Sequence, residues 1–414
     1  MTSTLGLMDL VLNSGKIRSD FPILSRKVNG KPLIYFDNAA SSQMPEQVIQ
    51  SIADYYRFEH SNVHRGIHTL SEDATGMFED TRLKISRFFN AAHHSEIIFT
   101  GGTTDGINLV AQTWGRFNLK KGDQILISGM EHHSNIVPWQ MLCEEKDLEL
   151  KIIPVTPAGE LDLDAYASLL TEKVKLVAVV HTSNALGTVN PVKEMIKAAN
   201  NVGALFLVDG AQAAGHSYVD VTDMDADFFV CSGHKMHAAT GIGILYGKKS
   251  ILDSMPPWKG GGDMIKSVTF EKTTYNDTPF RFEAGTPHIV GVKSLGTAID
   301  YIESVGFDRI AATERVLLET LTSELESIDG IRLIGTAKEK IAVASFVSDT
   351  AHPSDIGTLL DMEGIAIRVG HHCTQPLMQH FGLPGTARAS LAFYNTVEEI
   401  EQFGKSLRKV LTML

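Results

Sequence analysis

Apolar and polar positions follow two alternating periods along this chain, and the alternation is most regular between Glu96 and Tyr246. Near-continuous apolar runs, the mark of strands covered on both faces, occupy Glu96–Thr100, Gln124–Ser128, Leu148–Val155, Val174–Thr182, Ala204–Val208, Phe228–Ser232 and Gly241–Tyr246. Helical spacing fills most of the gaps, at Thr104–Thr113, Asn135–Lys146, Leu163–Leu170 and Lys193–Asn201. This order predicts an α/β fold around a mostly parallel, seven-stranded sheet. Upstream, Gly15–Phe21 reads as a short amphipathic helix stopping before Pro22, and Pro32–Ala40 as a strand entering a small-residue turn. Gln43–Glu59 and Glu72–Asn90 read as helices. The texture changes at Ile289. A helical segment, Val290–Ser327, breaks near Gly306 and leads to a smaller α+β unit. Its strands are expected at Ile331–Leu333, Ala342–Phe346, Ile365–Val369 and Ala387–Leu391, and its last helix at Val397–Leu411. The expected division is a large domain over 25–288 and a small domain built from 1–24 and 289–414.

Composition narrows the function. The chain has 414 residues with 43% hydrophobic and 21% charged positions, ordinary for a globular protein of two domains. Acidic residues outnumber basic ones, 49 to 37, which argues against a general nucleic-acid binder. Three cysteines make no disulfide framework and fit a reducing compartment. No apolar run reaches the ~18 residues of a membrane span. Met1–Leu12 lacks a basic region and a cleavage-like site, so no signal peptide is read there. The expectation is a cytoplasmic protein without membrane or nucleic-acid partners.

Ligands of open α/β sheets bind beyond the carboxyl ends of the strands, so the residues at those ends are the candidates. Gly101-Gly102-Thr103-Thr104 opens a helix after the first strand, where free N–H groups and the helix dipole suit a phosphate. Simple capping by either threonine is the alternative. His132 stands at the second outlet and can stack on a ring or move protons. Asn184 follows the fourth strand. Asp209 ends the fifth, where a carboxylate calls for a cationic partner, with Gln212 beyond it. Ser232, His234 and Lys235 form the next outlet. A lysine amine in a partly dry pocket has a lowered pKa and can condense with an aldehyde. Together these parts describe a site for pyridoxal 5′-phosphate (PLP): Lys235 for the aldehyde, Asp209 for the pyridine nitrogen, and the helix start with Ser232 and His234 for the phosphate.

In the C-terminal part, Cys373 follows Arg368-Val369-Gly370-His371-His372 and is the best nucleophile candidate, because cations and imidazolium favour the thiolate. Cys143 and Cys231 read as structural thiols. Arg388 suits a clamp on a substrate carboxylate. His60, His64 and His68 could suggest zinc, but Asn62 and Gly66 interrupt any helix between them and no Glu completes the usual motif. A polar pocket loop with His64 and Arg65 facing the cavity is the preferred reading, with no metal site.

The chain resembles the cysteine desulfurases of the SufS/CsdA type (group II) in the class V aminotransferase family. The resemblance runs from Tyr35-Phe36-Asp37-Asn38-Ala39-Ala40 to Tyr394-Asn395-Thr396. Its most specific pieces are Glu131–Trp139, Ser232-Gly233-His234-Lys235, Phe282–Pro287 and Arg368–Cys373. It implies the PLP-dependent transferase fold type I and a homodimer. It implies Lys235 as the cofactor lysine, His132 stacked on the ring, Asp209 on the pyridine nitrogen and Gln212 by the ring hydroxyl. Thr104, Ser232 and His234 would hold the phosphate, with Thr103 beside them and Thr286 reaching in from the other subunit. Arg388 and Asn184 would hold the substrate carboxylate, with Arg368, His64, Arg65 and His372 completing the substrate pocket. Cys373 would take the sulfur of L-cysteine as a persulfide, leaving alanine. A small acceptor protein of the SufE/SufU kind would receive that sulfur for iron–sulfur cluster assembly, and L-selenocysteine would be a second substrate. The chain departs from the family at Met236-His237-Ala238-Ala239, where Leu-Tyr-Gly-Pro is usual, and at Lys259, His288 and Thr374. The rival readings are a selenocysteine lyase or another class V PLP lyase, and a non-catalytic sulfur-carrier scaffold.

Overall fold

The computed structural model describes residues 11, 12 and 14–414. The start of the segment 1–24 and most of Met1–Leu12, on which the signal-peptide reading rests, lie outside the described residues. Seven strands make the large sheet: β1 (Ile97–Thr100), β2 (Gln124–Ser128), β3 (Glu149–Ile153), β4 (Val174–Val180), β5 (Leu205–Asp209), β6 (Phe228–Ser232) and β7 (Gly243–Gly247). Their order is β1-β7-β6-β5-β4-β2-β3. Strands β3, β2, β4, β5 and β6 run parallel, and β7 is antiparallel to both neighbours. The reversal has a local cause. A parallel return needs a crossover of about a dozen residues or more, whereas only the ten residues 233–242 link β6 to β7.

The apolar runs are continuous because both faces are covered. Along β6, Phe229 and Cys231 enter one core with Phe78, Phe89 and Ile299, while Phe228 and Val230 enter another with Ile107, Trp139 and Leu142. Strand alternation thus divides one apolar run between two helical layers. The expected Thr104–Thr113 helix begins at Thr103, is α-helical to Val110 and continues as a wider π turn over Ala111–Gly115. The helix expected from Glu72 begins at Thr69, because the His68 ring caps it by accepting the Ser71 N–H.

The break near Gly306 separates helices Ile289–Val305 and Phe307–Glu326, with Gly306 at φ +88°. The first packs on helices Glu46–Asp54 and Thr69–Phe88, the second on Val397–Leu411. A second sheet, β8 (Ile331–Ile334), β9 (Val343–Ser348), β10 (Arg368–Gly370) and β11 (Thr386–Ser390), is antiparallel in the order β8-β9-β11-β10. The expected strand Ile365–Val369 is two pieces. Ile365–Ala366 pairs in parallel with Ile34–Tyr35, and β10 pairs with β11. Asp37 then bridges to Ser390. This stitching lays the Tyr35–Ala40 segment across the mouth of the large sheet.

Candidate active site

The carboxyl ends of the strands open on one cavity. The large sheet supplies Thr103, Thr104, His132, Asn184, Asp209, Gln212, Ser232, His234 and Lys235. The other side supplies Arg368, His372, Cys373 and Arg388. The large-sheet residues sit where a strand or a strand-to-helix turn ends, Arg368 opens β10 and Arg388 lies in the middle of β11, so residues distant in sequence meet.

Lys235 ends the turn Gly233–Lys235 after β6. Its neighbour is clamped from outside: the His234 carbonyl accepts the Ser42 N–H at 3.0 Å and the Ser41 and Ser42 hydroxyls at 3.2 and 3.1 Å. The Lys235 amine makes no hydrogen bond or ion pair among the described residues. Burial pulls its pKa down to about 8, opposed by the Asp209 charge and assisted by Arg388 and Arg368. Asp209 is 2% exposed. Its carboxylate accepts the Ala211 N–H at 3.0 Å, and burial pushes its pKa up.

His132 caps the turn His133–Asn135. Its Nδ1 accepts the Ser134 N–H at 3.1 Å and lies 2.9 Å from the Ser134 hydroxyl. The neutral ring therefore has its proton on Nε2. Burial, and then the Lys235 charge, press its pKa down to about 4, so the ring is neutral at pH near 7. Ser134 also bonds the Thr104 hydroxyl at 2.7 Å, which ties the ring to the helix start. There the Thr103 N–H donates to the Ser232 hydroxyl at 2.8 Å, and Gly102 takes φ +139° so the backbone can pass Ser232. Beneath this turn Glu131 is fully buried, bonding Ser128, Asn135 at 2.7 Å and the Val180 N–H at 2.9 Å. Asn135 in turn accepts the Trp139 indole N–H at 2.8 Å.

On the other wall, Arg388 is 1% exposed. It donates to Asp37 and to the Asn184 carbonyl, both at 2.8 Å, while its Nε finds no partner among the described residues. Asn184 gives its Nδ2 to the His372 carbonyl at 2.8 Å, leaving Oδ1 unpaired. His372 is bonded to Thr386 at 2.8 Å, and burial presses its pKa down to about 2. Cys373 is half-buried, at φ +57°.

Three predicted residues lie outside this cavity. His64 bonds Glu79 at 2.9 Å and packs edge-on against Phe78 and Phe280. Arg65 pairs with Asp263 at 2.9 Å. Thr286 is exposed on the irregular stretch before helix Ile289–Val305. His60 bonds Tyr55 and His68 caps its helix, so the three histidines do not converge. The sequence reading missed Asp37, Ser134 and Glu131. Asp37 had a usable signal, since it ends an apolar strand as Asp209 does and demands a cation for the same reason.

The donor set fits pyridoxal phosphate. The cavity offers an unpaired amine, a buried carboxylate, a hydroxyl-lined helix start, and two buried acceptors, Gln212 Oε1 and Asn184 Oδ1, that lack donors. Buried polar atoms without partners are rare, and a bound polar group supplies the missing ones.

The family profile described as aminotransferase class-V matches residues 34–403, and the chain belongs to that family. Its curated relatives narrow the class. A protein named cysteine desulfurase from Synechococcus elongatus is 50% identical over 397 residues, 96% of this chain, which spans 63% of that relative's length. Another of the same name from Escherichia coli is 49% identical over 406 residues, 98% of this chain and 100% of the relative. The crystal structure of the cysteine desulfurase CsdA from Escherichia coli superposes with a TM-score of 0.91 at 34% identity, covering 98% of this chain and 100% of that one. The chain is thus a cysteine desulfurase of PLP-dependent fold type I, and its cofactor is pyridoxal phosphate.

Proposed function

We propose that Lys235 holds the cofactor aldehyde and moves the substrate α-proton, and that Cys373 accepts the sulfur of L-cysteine. The observation carrying this is an unpaired amine, its pKa lowered by burial, in the same cavity as a half-buried thiol and a buried guanidinium with a spare N–H. When bound, the cofactor draws electrons from the substrate α-carbon, which acidifies the α-C–H and loosens the sulfur. Asp209 would stabilise the protonated pyridine nitrogen, with Gln212 by the ring hydroxyl. Thr103, Thr104, Ser232 and His234 would hold the phosphate. His132, neutral with its proton on Nε2, would stack on the ring and pass protons. Arg388, aimed by Asp37, would take the substrate carboxylate with Asn184, and Arg368 and His372 would line the substrate's other side. The Cys373 thiolate forms an S–S bond to the substrate sulfur as the substrate C–S bond breaks. The electron pair of that C–S bond stays with the substrate β-carbon, which takes up the proton given up by the Cys373 thiol, and Lys235 returns its proton to the α-carbon to complete alanine.

The same thiol chemistry extends to L-selenocysteine. A half-buried Cys373 suits handing its persulfide to a small acceptor of the SufE/SufU kind for iron–sulfur cluster assembly. A homodimer is supported by exposed apolar side chains, Phe58, Ile67 and Phe270 among them, near the segments carrying His64, Arg65 and Thr286 in sequence. In such a dimer those three would complete the site across the interface. The cytoplasm is the compartment that keeps a persulfide-forming thiol reduced. The proposed division into 25–288 and 1–24 with 289–414 is supported by the two sheets, whose strands fall within 97–247 and 331–390.

The test is near-visible absorbance and alanine release from L-cysteine. Lys235→Ala should lose the absorbance of the covalently held cofactor. Cys373→Ala should keep that absorbance and lose alanine release. Release surviving in Cys373→Ala would remove the persulfide step and leave a PLP lyase of another kind.

A further inference from the structure

The loop before and at Cys373 is short and unusual in its backbone. Gly370, His372 and Cys373 have φ of +106°, +51° and +57°. Side-chain-bearing residues stay in the left-handed region only where their surroundings hold them there. The holders come from the large sheet. Asn184 Nδ2 donates to the His372 carbonyl at 2.8 Å. The His133 N–H donates to the Cys373 carbonyl at 2.8 Å. His133 Nε2 accepts the Gln375 N–H at 3.1 Å, at the first residue of helix Gln375–His380. His133 therefore grips the chain at the thiol-bearing residue and again two positions on. Its own place is fixed by the buried Glu131–Asn135–Trp139 network under the same turn.

We propose that His133 is the positioning residue for the sulfur-accepting thiol: its backbone and imidazole hold Cys373 in the left-handed conformation that presents the thiol to the cavity. This rests on the reading that Cys373 accepts the sulfur. His133 is not itself placed on substrate or cofactor, since it does not line the cavity. Its ring is half-buried, the rings it meets among the described residues are those of His132 and His371, at centroid distances of 6.2 and 5.7 Å, and it belongs to none of the hydrophobic cores, so replacing it opens no hole in them. What is lost is the acceptor for Gln375. With Nε2 accepting, the neutral ring has its proton on Nδ1, and a glutamine can set a carbonyl oxygen near the same place.

The experiment compares the holoenzyme of wild type, His133→Ala, His133→Gln and Cys373→Ala. It measures kcat and KM for L-cysteine, cofactor absorbance, and alkylation of Cys373 by iodoacetamide read by mass spectrometry. In His133→Ala, kcat should fall about three- to tenfold, the factor one neutral hydrogen bond is worth, with KM and absorbance unchanged. The alkylation rate of Cys373 should rise by a similar factor, and His133→Gln should restore both. Unchanged kcat and alkylation in His133→Ala overturns the proposal. So does a fall in kcat accompanied by altered KM and absorbance that glutamine does not restore, the sign of general damage. If Cys373→Ala itself keeps releasing alanine, the reading beneath has failed. If that variant is dead while His133→Ala is normal, only the positioning role falls.

Discussion

Under the role proposed for Lys235, its lowered pKa makes a quantitative claim about cofactor capture. An ordinary lysine amine titrates near 10.5, and burial brings Lys235 to about 8. At pH 7 roughly one amine in ten is then neutral, against roughly one in three thousand for an ordinary lysine, a gain of about 300-fold in the nucleophilic form. The assay strips the cofactor and follows the absorbance change on adding pyridoxal phosphate back, from about pH 6 to about pH 10. The capture rate should climb through a midpoint near 8 and level off above it. Asp209 is the charge that opposes the shift, so Asp209→Asn should move the midpoint lower still. Linkage gives a companion sign. The unfolded amine binds its proton more tightly than the folded one, so apoprotein stability should rise as pH goes from about 8 to about 10.5, by roughly 3 kcal/mol in total. A midpoint near 10, or an upward move in Asp209→Asn, would refute the assignment of the shift to burial opposed by Asp209.

Two further outcomes follow from buried charge. Asp37→Ala leaves Arg388 buried without its carboxylate, which should cost about 3 kcal/mol in denaturant unfolding, the low end for a broken buried pair because Asp37 is partly exposed. The same variant should raise KM for L-cysteine with cofactor absorbance intact; a loss under about 1 kcal/mol would show that the pair contributes no more than a surface one. Arg82, 0% exposed, pairs with Glu283 at 2.7 Å and Glu79 at 2.9 Å and lies 4.6 Å from the Phe99 ring centre. Arg82→Met should cost about 3–5 kcal/mol at neutral pH. Burial pushes the Glu79 pKa up, but His64 and Arg82 outweigh it and hold the carboxyl down to about 2. A depressed carboxylate stabilises above its ordinary pKa and loses that contribution as pH falls, so the gap between wild type and Arg82→Met should narrow from about pH 4.5 towards pH 2. A gap that stays constant across that range would locate the damage in packing instead.

The strands and the large-sheet half of the site were legible for one reason. Burial on both faces makes apolar runs that end abruptly, and whatever polar residue follows such a run must stand at the sheet's outlet. That logic found Asp209, Asn184, His132 and Lys235 with no knowledge of which strands neighbour each other. It did not see the direction of β7, because an apolar run looks the same in either direction; only the shortness of the Lys235 turn decides it. The second wall was less legible for a different reason. Arg388 and Cys373 could be named as chemistry, but what aims them is a set of contacts from remote parts of the chain: Asp37 to Arg388, Asn184 to the His372 carbonyl, His133 to both Cys373 and Gln375. No local period encodes such pairs. Left-handed φ at His372 and Cys373 is equally silent in sequence, where glycine is the usual signal and only Gly370 stands nearby. The two halves thus differ in what specifies them. Strand burial places the residues of the large-sheet wall at the sheet's outlets. A few directed hydrogen bonds position the thiol wall, so that wall is where single substitutions should alter sulfur transfer while leaving cofactor binding in place.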